Sequence, residues 1–571
     1  MKATIDATMG SGGFELSSHA VGAMPVINAL LARVGIDEIL DTAVRADPRA
    51  KMAPSSALGV VLRNLIAARS PLYALGEWAR SYDPAVLGLS PHEPALLNDD
   101  RVGRALDSLF DCDRAQLATE VVLSAIRGFD ISLDELHNDS TSITLQGNHS
   151  GADGKAVRGT KTAKVAYGHN KDYRPDLKQL LWVLTVSSDG AVPIHYRVHD
   201  GNTNDCETHT EVWDTLVAIA GRADFLYVAD SKLATRDNMD HIDKREGRFL
   251  TVMPRSRSED SDFRKWVQSQ SPEWVSVRDD TVPGGPVSAY LMAEAPWPSA
   301  EGYRVAWVLS TSKARRDADS RRGRIAKASQ RLDDLATRLS GPKARIRTKA
   351  GADDAARAIL KQTRTERFFE VSLEEVSEPR YRQERRGRPG PDTRYQRQER
   401  VRIALEWKVK NDVVAYEAKS DGMFPFITNC RDLALGELLD HYKFQPCLER
   451  RHEQLKSGLE VVPMWLKSVA RIEAVLFLFF VALIVRALIE REIRTRMKDE
   501  GLATLPLYPE ERDCPAPTAE RILSMFDTVQ RHELVTGDHI VQIFEPQLTP
   551  IQRKVLKVLG LSPSIYRAPK P

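Results

Sequence analysis

Paired cysteines are missing from this chain. Its five cysteines, Cys112, Cys206, Cys430, Cys447 and Cys514, are scattered through 571 residues without CxxC spacing. That pattern excludes a disulfide framework and a thiolate zinc site, and it suits a reducing cytoplasm. A dominant charge sign is missing too. Lys and Arg number 81 against 79 Asp and Glu, a net charge of +2. No global field announces nucleic acid, so any such argument must rest on local clustering. The N-terminal stretch MKATIDATMGSGGFELSS has no apolar run behind its single lysine, and no signal peptide is expected. Internal repeats are absent. One apolar run, Ala474 to Ile489, is shorter than the ~20 residues that a membrane span requires. Arg486 interrupts it, and Arg471 and Glu473 abut its start. A buried core helix is expected there, and no membrane.

What is present is an ordinary globular balance, 28% charged and 42% hydrophobic. The length suits roughly two to four domains. Residues 14 to about 126 repeat apolar positions at i, i+3, i+4 spacing, broken by Pro- and Gly-containing turns, and read as all-helical. This stretch carries no zinc or glycine-rich motif. Near residue 130 the period changes. ISLDELHNDSTSITLQG alternates like a half-buried strand. Leu180–Ser188 is a nearly continuous apolar strand, and AVPIHYRVHDG follows across an Asp189-Gly190 turn. A helical stretch, Glu207–Gly221, leads to a short buried strand, Phe225–Asp230. Three strands, a helix and a strand that can run parallel to the first predict a mixed α/β sheet covered by helices.

From about 256 to 420 short strands such as Tyr303–Ser310 flank a long charged helix, about Lys313 to Ala358. Glu378–Arg402 holds nine arginines against four acids around a Pro-Gly-Pro, with Tyr381 and Tyr395 interleaved. It reads as a hairpin tip suited to nucleic-acid backbones and stacking, or simply as a solvated hairpin. After Arg496 the chain is Pro-rich to about 518 and is expected to end in a short helical tail.

Two acids sit where strands do not ordinarily tolerate them. Asp139 lies inside the first strand, where an unpaired carboxylate is costly to desolvate. Asp230 ends the strand expected to run parallel to it, and strand ends of open sheets are where ligands bind. A third acid comes from Tyr442-Lys-Phe-Gln-Pro-Cys-Leu-Glu449-Arg-Arg-His-Glu-Gln-Leu-Lys456. Gln445, Glu449 and Lys456 follow Tyr442 by three, seven and fourteen residues, which returns all four to about one helical face. Asp139, Asp230 and Glu449 together would form an oxygen-rich cage for one or two Mg²⁺ or Mn²⁺ ions. Two such ions can activate a water or a 3′-hydroxyl and stabilise the leaving oxygen of a phosphodiester.

These acids, with LNDDRVGRALDSLF, YGHNKDYRPDLKQLLWVLTVSSDGAVPIHYRVHDGNT, DGMFPFITN and PTAERILSMF, resemble the DDE transposases of bacterial insertion sequences. The resemblance covers most of residues 14–530. It is nearest the branch whose third carboxylate lies in Tyr-x2-Arg-x3-Glu-x6-Lys. Tyr442, Glu449 and Lys456 match, while Gln445 replaces the arginine, keeping a hydrogen-bond donor and losing a charge. Glu453 is the alternative third acid; register with Tyr442 and Lys456 favours Glu449. The spacings, 91 positions from Asp139 to Asp230 and 219 from Asp230 to Glu449, also fit that branch.

The resemblance implies an RNase H-like catalytic core in two parts, 127–255 and 421–500. A mainly β, partly helical insertion at 256–420 interrupts it, with an end-DNA-binding helical domain at 1–126 before it and a tail at 501–571 after it. It implies cleavage at terminal inverted repeats, strand transfer into target double-stranded DNA, and a homodimer that synapses two ends. Asp139, Asp230 and Glu449 would be catalytic and metal-binding, with Tyr442, Gln445 and Lys456 beside the DNA. Lys171, Arg174 and Lys178 would touch phosphates or form a solvated loop. Trp407 or Trp307 would stack on a flipped base or serve as a core aromatic. An RNase H-like nuclease without strand transfer and a catalytically silent DNA-binding derivative are the competing readings.

Overall fold

The computed structural model describes residues 3–5, 14–45, 49–67, 70–149, 151–280, 287–341, 344–461, 467–537 and 539–568. Most of the N-terminal stretch read above for a leader lies outside them. The chain divides into two units, Met1–Thr251 with Asp440–Pro571, and Val252–Leu439.

The first unit holds a mixed sheet. Its strands run in the order Arg248–Val252, Leu226–Ala229, Glu135–Leu145, Lys178–Ser187 and Pro193–His199. Leu226–Ala229 lies parallel to both of its neighbours, and the last three strands form an antiparallel meander. Lys178–Ser187 is buried along all but its first residue, as its unbroken apolar run requires when both faces of a strand are covered. Glu135–Leu145 is different: Asn138, Ser140, Thr141 and Ser142 are buried polar residues in a central strand. Each such group needs a partner, and Asn138 finds one in the Thr185 hydroxyl at 2.9 Å.

Around this sheet the N-terminal region is helical from Met24, through Met24–Val34, Ile36–Ala43, Pro54–Ala67, Asp99–Asp111 and Arg114–Phe129. The last two begin at side-chain caps, Asn98 accepting from the Arg101 amide and Asp113 from the Ala115 and Gln116 amides. Phe14–Ala20 corrects the all-helical reading. It is a strand, paired antiparallel with Gln530–Thr536 at the far end of the chain. The tail is corrected with it: beside the helices Ala519–Ser524 and Pro550–Val558 it contributes Gln530–Thr536 and His539–Phe544 to that same sheet.

The apolar run belongs to the 31-residue helix Val469–Asp499. By length and composition this helix could cross a membrane, yet its apolar stretch is wholly buried in protein. It packs against Pro54–Ala67 and Asp99–Asp111. Its polar residues find partners too: Glu473 pairs with Arg114 at 2.9 Å, and Glu492 with Arg33 at 2.9 Å.

Two glycines fix the loop that leads from the Asp139 strand to the next. Gly201 donates to the Lys164 carbonyl at 2.9 Å, and its own carbonyl accepts from Gln179 Nε2 at 2.8 Å. A Cβ on Gly201 would overlap the Gln179 carbonyl oxygen, and one on Gly168 would overlap the Gly201 carbonyl oxygen. Those neighbours are backbone and cannot swing away. Gly201→Ala is therefore expected to cost roughly 1–3 kcal/mol or more and to lower the thermal midpoint by several degrees. An unchanged melting curve would show that the loop does not pack as described.

The second unit has an antiparallel sheet of Val275–Asp280, Ser288–Glu294, Arg304–Ser310 and Met423–Thr428. A long two-stranded hairpin, Phe369–Gln383 with Tyr395–Val409, is separate from it. The base of the hairpin packs Phe369, Leu373, Ile403 and Leu405 against Ala328, Leu332, Leu335 and Leu339 of the helix Thr311–Ser340. Its arginine-rich tip is exposed, Tyr381 and Tyr395 included.

Candidate active site

Parallel register brings the first two acids together. Asn138 stands opposite Ala229, so the next residue on each strand is Asp139 and Asp230. Asp230 begins the loop after its strand. Its Oδ1 accepts from the Lys232 amide at 2.9 Å, and its carbonyl accepts from the Thr251 hydroxyl at 2.6 Å. Burial pushes the Asp139 carboxyl up to about 6; Lys171 opposes this, and Asp230 and Asp205 add to it. Three acids thus share one electrostatic environment.

Lys171 sits among them. Its ammonium donates to the Ser140 carbonyl and hydroxyl at 2.6 and 2.7 Å. It also lies 3.1 Å from Asp205 Oδ2 and 3.7 Å from Asp139 Oδ1. Ser140 Oγ in turn donates to Asp205 at 2.9 Å. In this arrangement Lys171 is the internal counter-charge of the acid cluster. Nearby, the ring of the buried His209 lies 3.1 Å from the Tyr227 hydroxyl. Burial holds this histidine down to about 4.

The helix Gln445–Val461 packs against the Asp139 strand and carries Glu449. Glu449 is exposed, as is Glu453. Tyr442 ends the preceding helix, Leu435–Tyr442, which corrects the single helical face expected for all four residues: the helix breaks between Tyr442 and Gln445. The Tyr442 phenol is raised by burial first, then by the charges of Asp230, Asp139 and Glu449. That phenol is where the three acids meet electrostatically. The Gln445 side chain is buried, and its amide oxygen has no hydrogen-bond partner among the described residues. Lys456 is ion-paired with Asp172.

The remaining candidates have partners of their own. Arg174 is exposed and paired with Asp176 at 2.8 Å, and Lys178 donates to the Asn148 carbonyl at 2.7 Å. Trp407 and Trp307 belong to the second unit. Trp407 donates to Asp333 at 3.1 Å and tilts against Phe369, while Trp307 is buried and stacked 3.9 Å from Phe263.

Asp205, His209 and His452 had no place in the sequence reading. Asp205 lies in a polar loop, DGNTND, with no strand or motif to single it out. His452 had a signal that went unused: it follows Glu449 by three residues and shares its helix face. Its side chain is 7% exposed, and Nε2 stands 3.6 Å from Asp139 Oδ2. Neither ring nitrogen has a hydrogen-bond partner among the described residues. Burial, with Lys171 and Lys456 nearby, holds its pKa down to about 3, so the ring is neutral.

Among the described residues no three His, Cys, Asp or Glu side chains converge closely enough to enclose an ion by themselves. The partial set present is two aspartates and an orphaned imidazole. That set fits a divalent cation which leaves part of its coordination to substrate and water.

Residues 16–123 match a family model described as a domain of unknown function, DUF4277. No curated protein matches the chain. Among solved structures, a piggyBac transposase synaptic complex with hairpin DNA aligns at 10% identity and TM-score 0.28, over 47% of this chain and 58% of that one. A pre-cleavage Mos1 transpososome aligns at 11% identity and TM-score 0.14, over 38% and 63%. A Mos1 transposase paired-end complex with the left transposon end aligns at 13% identity and TM-score 0.14, over 39% and 66%. The chain spans little more than half the length of the first of these.

Proposed function

We propose that this chain is a metal-dependent DNA transposase with an RNase H-like core, acting in the bacterial cytoplasm at the terminal inverted repeats of its own element. The observation that carries the reading is the parallel register that sets Asp139 beside Asp230, under a tyrosine that also feels Glu449. The sequence motifs around these residues support it.

Asp139 and Asp230 would hold the metal, with Glu449 brought in by its helix. A bound Mg²⁺ or Mn²⁺, or a pair of them, would polarise the phosphodiester and ready a water or 3′-hydroxyl for attack. The protein's own groups do the rest. Lys171 balances the acids when no cation is present. The Tyr442 phenol stays protonated and can donate to a phosphate oxygen. Lys456 needs only to leave Asp172 to reach DNA, and the exposed arginines of the hairpin tip offer backbone contacts. A homodimer would bring two transposon ends together.

The test is a joining assay. Purified protein, Mg²⁺, pre-cleaved end DNA and a circular target are expected to give target molecules covalently joined to the end DNA. Hydrolysed ends with no joined product would leave a nuclease and sink the transposase reading. The DNA flanking the gene offers an independent check, since imperfect inverted repeats bounded by short direct duplications are expected there.

A further inference from the structure

The Asp139 carboxylate faces an ammonium on one side and a neutral imidazole on the other. Oδ1 looks toward Lys171, while Oδ2 looks toward the Nε2 of His452 at 3.6 Å. That separation is too long for a hydrogen bond. It does suit two ligands of one ion, since donors each ~2.1 Å from a shared metal stand between ~3.0 Å (at right angles) and ~4.2 Å (opposed) apart.

The imidazole is more than nine-tenths buried, and neither nitrogen has a partner among the described residues. A buried polar group left orphaned costs free energy unless a ligand satisfies it. Nothing pins the proton on Nε2, so its lone pair is available. The ring rides on the Glu449 helix, which packs on the Asp139 strand. Seating that helix therefore presents the nitrogen and the carboxylate to the same point.

We propose that His452 is a nitrogen ligand, sharing with Asp139 a metal position that favours transition ions such as Mn²⁺ over Mg²⁺. Imidazole is a softer donor than carboxylate and binds Mn²⁺ more readily than the strictly oxygen-seeking Mg²⁺. The inference rests on the transposase reading only for the presence of a divalent ion at the acid pair. It adds a ligand and a metal preference that the three-carboxylate picture lacks.

The experiment is a titration of the full-length, DNA-free protein with Mn²⁺ alone, followed by electron spin-echo spectroscopy. The bound ion is expected to show nitrogen coupling of the imidazole type. His452→Leu should abolish that coupling and weaken Mn²⁺ binding about tenfold, with Mg²⁺ binding, read by competition, changing far less. His452→Gln serves as the second variant, and circular dichroism checks the folding of both. A Mn²⁺ ion that depends on Asp139 but shows no nitrogen coupling in the unsubstituted protein overturns the His452 assignment and leaves the acid site standing. Coupling that survives in a folded His452 variant overturns it as well. If the protein binds no Mn²⁺, or if Asp139→Asn binds it equally well, the inference falls together with the metal reading beneath it.

Discussion

Asp230→Asn is expected to lower strand cleavage and joining about a thousandfold while leaving the fold intact. The size follows from the chemistry. A divalent ion contributes several kcal/mol of charge stabilisation at a phosphoryl oxygen, and ~4 kcal/mol corresponds to a factor of about a thousand in rate. An amide of the same shape keeps the oxygen and loses the charge that would hold the proposed ion. The intact fold follows from the local hydrogen bonds. Asp230 Oδ1 accepts from the Lys232 amide at 2.9 Å, which an asparagine oxygen can do equally well, and the bond from Thr251 goes to the backbone carbonyl. Removing a charge that repels Asp139 also relieves the cluster. The melting temperature should therefore stay level or rise slightly while activity collapses. The check pairs a denaturation curve with a single-turnover cleavage assay on end DNA. If Asp230→Asn cut DNA as fast as the parent, the acid pair would not be the catalytic centre.

The acid pair was legible because it breaks a local rule. A carboxylate inside a buried strand is anomalous on desolvation cost alone, and that made Asp139 stand out. The three strands, helix and returning strand were legible as alternating and continuous apolar runs, and the folded chain does set Leu226–Ala229 parallel to Glu135–Leu145. The long apolar helix was legible from its charge-poor run. What escaped notice depends on distance along the chain. Phe14–Ala20 becomes a strand because Gln530–Thr536 pairs with it, and no window around residue 14 contains that partner. Asp205 joins the acids only because the loop after His199 folds back on Ser140. Lys171, read as a phosphate contact or a loop residue, turns inward because three carboxylates draw it there. His452 was hidden by motif spacing, which drew attention to Glu449 and Lys456 on either side of it.

The helix that carries Glu449 is itself held by one buried ion pair, and breaking that pair is expected to have the largest effect on stability in the chain. Arg451, two residues after Glu449, meets Glu490 of the long apolar helix at 3.0 Å, with side chains 2% and 1% exposed. The network is well satisfied. Arg451 also donates to the carbonyls of Ala191 and Gly190 at 3.0 and 3.1 Å and to Gln454 Oε1 at 3.0 Å. Glu490 Oε1 accepts from the Ala519 amide at 3.0 Å. Burial pulls the guanidinium pKa down and would push the carboxyl pKa up, but Arg451 holds Glu490 ionised.

Glu490→Ala strands a cation in a dry interior and orphans the Ala519 amide, so a loss of roughly 3–5 kcal/mol is expected. Surface substitutions, by contrast, usually stay within about 0.5 kcal/mol. Replacing both partners, Arg451→Met with Glu490→Leu, removes the stranded charge and should recover most of the loss. Denaturant unfolding of the two single variants and the double variant measures this directly. A double variant no more stable than Glu490→Ala would mean that the cost lies in lost packing rather than in an unpaired charge. Cleavage by the double variant separates the pair's two roles. If it regains stability but not activity, the Arg451 contacts to the 190–191 turn are what seat the helix that places His452 beside Asp139.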